Sequence, residues 1–165
     1  KAIDSAHQNL DRLLKSGSEL SIPLQNQLRE IMWQYCGVVK NKEKLKLGLD
    51  KIYKIKRKFD DIDVRIIDGD YSDLVSICDL EASIISSEAT IKSALIREES
   101  RGAHQRNDFP KLDNSCNFNC SVKLENELLK IEKKNKDPIQ QKYLDILKIV
   151  ENNTLVYDEG SKLLE

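Results

Sequence analysis

The longest stretch without a helix breaker runs from Ser72 to Ser100, and it constrains the fold more than any other part of the chain. It contains no glycine or proline. Its apolar residues recur at intervals of three or four, which places them on one face of an α-helix: Leu74, Ile77, Cys78, Ile84, Ile85, Ile91, Ala94 and Leu95. A helix of about 28 residues would be roughly 40 Å long. Because so long a helix is not stable alone, it predicts the core helix of a bundle.

Three other segments have the same helical period. The apolar positions of residues 1–16 predict a short leading helix that ends at Gly17. A second helix is predicted from Pro23, a residue suited to a first helical turn, and a third from its N-cap Asn41 to about Phe59. Since the links are short, we expect antiparallel packing. The predicted fold class is therefore all-α, with a three-helix antiparallel bundle that resembles a spectrin repeat.

After Pro110 the period changes from that of a helix to that of a strand. Apolar and polar residues alternate over residues 118–124 and again over 129–131, with Glu125 and Asn126 between them. This pattern predicts a small β-hairpin, and Asp137 with Pro138 then begins a final helix. We therefore predict a bundle over residues 1–110, with the hairpin and final helix of residues 111–165 packed on it.

Between the long helix and the hairpin lies a charged turn, residues 97–110. Each arginine here can fork onto a carboxylate and fix two segments together, while Gly102 suits the left-handed conformation that often ends a helix. Clamping within the chain, a docking interface and a catalytic role for His104 are the three interpretations; no Ser, Cys or metal-ligand pattern near His104 supports the last. The candidate structural and interface residues are Arg97, Glu99, Ser100, Arg101, Gly102, His104, Arg106, Asp108, Phe109 and Pro110.

Charge and composition argue against several classes of function. The formal net charge is -1, which does not favour a nucleic-acid partner, and no apolar run is long enough to span a membrane directly. The segment from Lys40 to Lys58 has nine basic and two acidic side chains. We interpret it as a solvated face, with an acidic partner surface as the second interpretation. Nucleic acid is disfavoured because the one aromatic residue of the segment, Tyr53, is assigned to the inner face and no stacking platform is interleaved.

The sequence lacks the common motifs of catalytic, cofactor-binding and metal-binding sites. Cys116 and Cys120 form a C-x3-C pair without the further ligands that zinc requires. The sequence has no G-x-G-x-x-G, G-x-x-x-x-G-K, H-E-x-x-H or G-x-S-x-G pattern, so we predict no catalytic, cofactor-binding or metal-binding residue here. The chain begins at Lys1, its only methionine is Met32, and no signal peptide is visible. We expect a cytoplasmic piece of a longer protein.

Two motifs carry a resemblance to a known family. Residues 99–110, ESRGAHQRNDFP, resemble the ESRGAH-x-R-x-D-[FY]-P signature of succinate dehydrogenase and fumarate reductase flavoprotein subunits. Residues 28–41, LREIMWQYCGVVKN, are similar to an L-R-x-x-M-W-x-x-x-G-[IV]-V-R segment of L-aspartate oxidase and some succinate dehydrogenases. Cys36, Lys40 and Asn107 depart from the usual residues of these motifs, and no resemblance to the family is recognised in residues 135–165.

The resemblance implies a carboxy-terminal three-helix domain that follows FAD-binding and capping domains. It implies FAD and the oxidation of succinate or reduction of fumarate in the parent chain, with none of the flavin or substrate residues in this piece. The implied partners are the FAD-binding domain of the same chain and an iron-sulfur subunit, which would make the protein peripheral to a membrane through partner subunits. The matched residues of the charged turn would pack against these partners.

Two alternatives stay open. The first is the same domain of L-aspartate oxidase, which differs in passing electrons directly to oxygen or fumarate and in needing no iron-sulfur partner. The second is a stand-alone helical protein-interaction module, which predicts a native chain of about this length.

Overall fold

The computed structural model of the chain describes residues 10–14, 16–66, 69–126, 128–137 and 140–148. Helix predominates, and a small two-stranded antiparallel sheet is added to it. The elements are α1 (Ser21–Cys36), β1 (Val39–Lys40), α2 (Lys42–Phe59), α3 (Ser72–Ile96), β2 (Gln105–Arg106), β3 (Phe118–Glu125) and β4 (Leu128–Asn135). Residues 10–13 and 141–148 are also helical. The predictions for residues 1–9, for Pro138 and for the tail beyond residue 148 lie outside the described residues.

The three long helices form the hydrophobic core, and each of them packs against the other two. Gly48 of α2 lies where all three meet. A Cβ atom added there would come within 2.7 Å of Tyr35 Cβ on α1 and 3.1 Å of Ile91 Cδ1 on α3. The helices therefore approach each other more closely at this position than a side chain on α2 would allow. The fully buried side chains of this core include Leu24, Leu45, Ile52, Ile62, Ile77, Leu80 and Ile91.

The starts of the helices follow local signals. Asn41 caps α2 as predicted, because its side-chain oxygen accepts a hydrogen bond from Lys44 N at 2.7 Å. Helix α1 begins at Ser21, two residues before the predicted start at Pro23. Pro23 still lies in the first turn, where an amide hydrogen would have no partner within the helix.

The end of the long helix differs from the prediction. Helix α3 stops at Ile96, and Arg97 is already extended with φ -87° and ψ 96°. Gly102 has a left-handed φ of +55°, but it lies in a separate tight turn and does not end the helix. The physical reason is the set of contacts made by the charged turn, in which Arg97 donates to Phe118 O and Arg106 donates to Ala94 O of the last turn of α3.

The predicted β-hairpin is confirmed. Strands β3 and β4 form an antiparallel two-stranded sheet. Asn126 in the connecting turn has a φ of +49°, a conformation that asparagine adopts more readily than most residues. Phe118, the first residue of β3, is buried, so the hairpin begins at an apolar anchor.

The chain divides into two compact units, Lys1–Lys134 and Asn135–Glu165. The first unit contains the three long helices, the charged turn and nearly all of the hairpin. The domain boundary after Pro110 stays a prediction. Within the ranges that the structure describes, every helix is too short or too polar to cross a lipid bilayer.

Candidate functional site

The two segments that carry the sequence motifs lie side by side. Strands β1 and β2 form a short parallel ladder that pairs Val39 with Gln105 and Lys40 with Arg106. The ladder is extended by Asn107, whose backbone N donates to Lys40 O at 3.0 Å. The link after α1 and the charged turn after α3 are therefore held together by backbone hydrogen bonds.

Arg106 is the centre of the charged turn. It is only 1% exposed, and its Nη1 donates to Ala94 O at 2.7 Å and to Arg97 O at 3.2 Å. Ala94 belongs to the last turn of α3, whose carbonyl groups lack partners within the helix. The guanidinium thus closes the end of α3, and its positive charge suits the negative end of the helix dipole. It also lies over the Phe109 ring, 4.9 Å from the ring centre.

Asp108 connects Arg106 to helix α2. Both of its oxygens accept from Arg106, at 2.8 Å from Nε and 2.7 Å from Nη2. The same carboxylate accepts a hydrogen bond from Lys42 N at 2.9 Å, and Lys42 is the first residue of α2. The Arg106 guanidinium and then this amide hold the pKa of Asp108 well below its usual range. One arginine–aspartate pair therefore joins the end of α3 to the start of α2.

Glu99 forms a second ionic centre and is fully buried. Its Oε1 accepts from Arg97 at 2.5 Å and from Arg101 at 3.0 Å, and its Oε2 accepts from Asp113 N at 3.1 Å. The hydrogen bond from Arg101 is the main cause that lowers the pKa of Glu99 to about 2, followed by those from Asp113 N and Arg97, while burial opposes them. A buried carboxylate with three donors is stable in its charged form.

Arg97 connects this second centre to the hairpin. Its Nη1 also donates to Cys116 O at 3.2 Å, and its Nη2 donates to Phe118 O. The guanidinium stacks over the Phe118 ring at 4.6 Å from the ring centre, a favourable cation–π geometry. Arg97 therefore leaves the helical path in order to bind the first residue of β3, which explains why α3 ends at Ile96.

Backbone and hydroxyl hydrogen bonds close the rest of the turn. Ser100 Oγ accepts from Arg106 N at 2.8 Å and donates to Phe109 O at 2.9 Å. Arg101 and His104 exchange two backbone hydrogen bonds around Gly102, and this tight turn requires the left-handed φ for which glycine is favoured. Pro110 is exposed at the exit of the turn.

His104 is half-buried, and its Nε2 lies 3.1 Å from Arg97 O. Burial is the main cause that lowers its pKa, and the positive charges of Lys40, Arg106 and Arg97 lower it further. The hydrogen bond to Arg97 O acts in the opposite direction. The imidazole therefore lies in an electropositive environment.

The structure brings the predicted residues into one clamp. Glu99 and Asp108 are each engaged by arginine, so neither carboxylate is free to transfer protons. Among the residues that the structure describes, no group of His, Cys, Asp and Glu is arranged to hold a metal ion. What this arrangement does chemically is to join α3, α2 and the hairpin through charge-assisted hydrogen bonds, which are stronger than neutral ones.

Several residues of the clamp are absent from the sequence-based set. Lys42, Asp113 and Cys116 contribute backbone groups, which no sequence pattern identifies. Phe118 could have been found, because an apolar residue that starts a strand close to an arginine-rich turn is a natural stacking partner. Lys40 belongs to the second sequence motif, residues 28–41. Because both motifs occur in one family, contact between them in the fold could have been expected.

Comparison with known proteins identifies the family. Residues 25–154 match the family described as fumarate reductase flavoprotein C-term, so the match includes residues 135–154, where the sequence motifs had indicated no resemblance. The chain belongs to this family. A fumarate reductase (CoM/CoB) subunit of Methanothermobacter marburgensis is 33% identical over 109 residues, which are 66% of this chain and 20% of that protein. The L-aspartate oxidase of Pyrococcus furiosus is 36% identical over 85 residues, which are 52% of this chain and 14% of that protein.

Solved structures of the family share the fold. The structure of the E. coli quinol fumarate reductase FrdA is matched with a TM-score of 0.74 at 23% identity, over 84% of this chain and 25% of that one. The Mycobacterium smegmatis Sdh1 complex in the apo form gives a TM-score of 0.73 at 22% identity, over 84% of this chain and 25% of that one. The chain thus spans a fifth or less of the curated relatives named above and a quarter of these structures.

The family is one of FAD-dependent flavoproteins, but the described residues do not form the glycine-rich site typical of a dinucleotide cofactor. Dinucleotide sites use a glycine-rich turn between a parallel strand and a helix. Here the parallel ladder is two residues long on each side. Gly48 lies inside a packed helix, and Gly102 closes a turn without a following helix. No reaction step is therefore assigned to these residues.

Proposed function

We propose that the chain is the C-terminal helical domain of an FAD-dependent succinate dehydrogenase or fumarate reductase flavoprotein, and that its three helices form an antiparallel bundle. The domain supports the flavin domain and docks the iron-sulfur subunit, and it is not catalytic alone. The observation that carries the proposal is the family match over residues 25–154, which covers most of this chain and corresponds to the C-terminal part of much longer relatives.

The geometry of the clamp supports a structural role for the charged turn. Its buried ions are paired within the chain, so they fix the shape of this end of the domain. Next to it, three apolar side chains point to solvent: Trp33 is 81% exposed, Val38 is 69% exposed and Val39 is 58% exposed. Such neighbouring apolar groups are typical of contact surfaces. In this proposal the clamp sets the shape of the domain end, and the apolar residues beside it make the contact.

The proposed setting is a peripheral one. The parent chain binds FAD through its own upstream domain, in a cytoplasmic location, and reaches a membrane through partner subunits. Electrons pass from the flavin domain to the iron-sulfur subunit, and this domain contributes contact surface to that assembly. No nucleic acid is expected, because the lysines of α2 have no interleaved aromatic platform.

The test is to isolate the native protein from its source cells with an antibody against this domain. The chain mass and the absorbance in the flavin bands are then recorded. We expect a chain several times longer than 165 residues that carries flavin, together with an iron-sulfur protein. A colourless chain of about 19 kDa would overturn the proposal and leave a stand-alone helical interaction module.

L-aspartate oxidase is the second candidate for the parent chain. Its support is the 36% identity to the Pyrococcus furiosus protein. The same isolation separates the two candidates, because a flavoprotein that purifies without an iron-sulfur partner and oxidises L-aspartate would identify the oxidase.

A further inference from the structure

A cavity of about 600 Å³ lies beside the clamp, between the last turns of α3, the tight turn at His104 and strand β3. Its floor is made of small side chains, including Ala89, Ser93 and Ala94. Three basic side chains, Lys40, Arg97 and His104, line the same cavity. No aspartate or glutamate is among its lining residues.

Lys40 is the unusual member of this group. The residue is only 9% exposed, and its Nζ donates to Val38 O at 3.2 Å. In the part of the chain that the structure describes, no carboxylate lies within ion-pair distance of it. Lysine is seldom this buried without a counter-charge. A backbone carbonyl supplies a hydrogen bond but does not neutralise the ammonium.

The other buried charges among the residues that the structure describes are paired. Glu88 in the helical core has Lys92 at 2.5 Å and Lys56 at 3.6 Å. Glu99 has Arg97 and Arg101, and Arg106 has Asp108. Because a buried charge without a partner is destabilising, the pairing elsewhere makes Lys40 an exception that calls for a missing anion. The cavity in front of it has room for one.

The chemistry of the walls selects the kind of anion. The Lys40 ammonium is the donor group available to this mostly apolar cavity. The Arg97 guanidinium is already shared among Glu99, Cys116 O and Phe118 O, and His104 Nε2 is bonded to Arg97 O. The small side chains of the cavity floor leave space for a planar group. A carboxylate satisfies an ammonium with two oxygens and one charge.

We propose that this cavity is a carboxylate-binding site in which Lys40 supplies the counter-charge. The carboxylate comes either from a small molecule in solution or from an Asp or Glu side chain of the part of the parent protein outside these 165 residues. The second source rests on the proposed function. Binding of a small molecule does not rest on the proposed function, and its test does not require flavin.

The first experiment titrates the 165-residue chain with glutarate, against sodium chloride at equal ionic strength. The readouts are the NMR titration of the His104 imidazole, assigned with His104→Gln, and the thermal midpoint. We expect glutarate to raise the pKa of His104 and the thermal midpoint of the wild type. Lys40→Met should weaken the response at least tenfold, Lys40→Arg should retain it, and Lys46→Met, at an exposed lysine of α2, should leave it unchanged.

The second experiment places the same substitutions in the full-length protein without added glutarate. If a side chain of the parent fills the cavity, Lys40→Met lowers the thermal midpoint more in the full-length protein than in the 165-residue chain, while Lys46→Met lowers neither. The proposal is overturned if glutarate has no Lys40-dependent effect and Lys40→Met also behaves alike in both lengths. Flavin absorbance of the full-length protein, measured separately, reports on the proposed function alone.

Discussion

The charged turn and helix α2 are both rich in charge, but they use it in opposite ways. In the turn, arginines and carboxylates alternate, and Arg106 and Glu99 are buried with their partners. In α2 the charges are mostly lysines, and most of them project into solvent on the face opposite Leu45 and Ile52. Charge density alone therefore does not indicate the role of a segment. Lysines of α2 also have acidic partners, but in pairs such as Lys42 with Glu98 and Lys58 with Glu19 both side chains are partly exposed. What separates the two regions is therefore the burial of the paired charges.

This difference has an energetic meaning. An exposed ion pair contributes between zero and about 1 kcal/mol, because water already solvates both charges. Removing one partner of a buried pair costs about 3–5 kcal/mol, because the other charge is left without compensation. We therefore expect substitutions in the turn to affect folding strongly and matched substitutions in α2 to have little effect.

Arg106→Met should have the largest effect. It removes the donors to Asp108, Ala94 O and Arg97 O while it keeps an apolar stem of similar length. We expect the free energy of unfolding to fall by about 3–5 kcal/mol, measured by urea unfolding. The matched control is Arg57→Met in α2, where the arginine is exposed. Equal losses in the two variants would show that the turn is no more important than the exposed face.

Glu99→Gln should make the free energy of unfolding less dependent on pH in the acidic range. The folded pKa of Glu99, about 2, lies below its ordinary value of 4.5. Its contribution is therefore complete above pH about 4.5 and is lost as the pH falls toward 2. We expect the variant to be less stable by about 2 kcal/mol at pH 6, and the gap to the wild type to narrow at pH 3. Urea unfolding at the two pH values measures both quantities.

Glu43→Gln provides the control for this pH dependence, since Glu43 is exposed in the first turn of α2. The difference in the free energy of unfolding between Glu43→Gln and the wild type should change little between pH 6 and pH 3. If the difference in the free energy of unfolding between Glu99→Gln and the wild type stays constant over this range, the neighbours of Glu99 do not stabilise its charged form as described.

Arg101→Ala should have an intermediate effect. The Arg101 side chain is 37% exposed, and Glu99 keeps Arg97 and Asp113 N as donors when it is removed. We expect a loss of about 1 kcal/mol in the 165-residue chain, so the chain stays folded. Circular dichroism with urea unfolding checks this, and complete unfolding of the variant would contradict the redundancy of the Glu99 site. In the full-length protein, weaker docking to the flavin domain is the further expectation.

Removing two lysines from α2 should have the smallest effect. Lys46 and Lys54 are both exposed, and Lys46→Ala with Lys54→Ala should change the free energy of unfolding by less than about 0.5 kcal/mol. Alanine also favours helix, which offsets any loss. Thermal unfolding provides the measurement. A large loss would mean that these lysines hold this face of α2 in place, as the arginines do in the turn.

The contrast between these regions also explains what the sequence could predict. Periodicity located α1, α2 and α3, and Asn41 identified the start of α2, because these signals act over a few residues. Alternation located the hairpin in the same way. The residues of the charged turn were predicted to be a structural or interface motif from the density of arginine and from the family motif.

The sequence could not predict contacts between distant segments. Helix α3 ends at Ile96 because Arg97 leaves the helical path to bind Phe118 O, and Arg106 closes the helix end by donating to Ala94 O. The backbone amide of Lys42 donates a hydrogen bond to the carboxylate of Asp108, 66 residues further along the chain. In the sequence Lys40 belongs to a basic segment interpreted as a solvated face, whereas in the fold it lies in the ladder of β1 with β2 and is buried. Each of these outcomes depends on tertiary structure, which local patterns do not contain.

Native-state hydrogen exchange of two amides tests the central claim most directly. Lys42 N donates to the Asp108 carboxylate, and Asn107 N donates to Lys40 O. If the charged turn is an internal clamp, both amides should exchange with the same opening free energy as the amide of Ile91 in the core of α3. Exchange of the two amides through a much less costly opening, while Ile91 stays protected, would contradict the internal clamp.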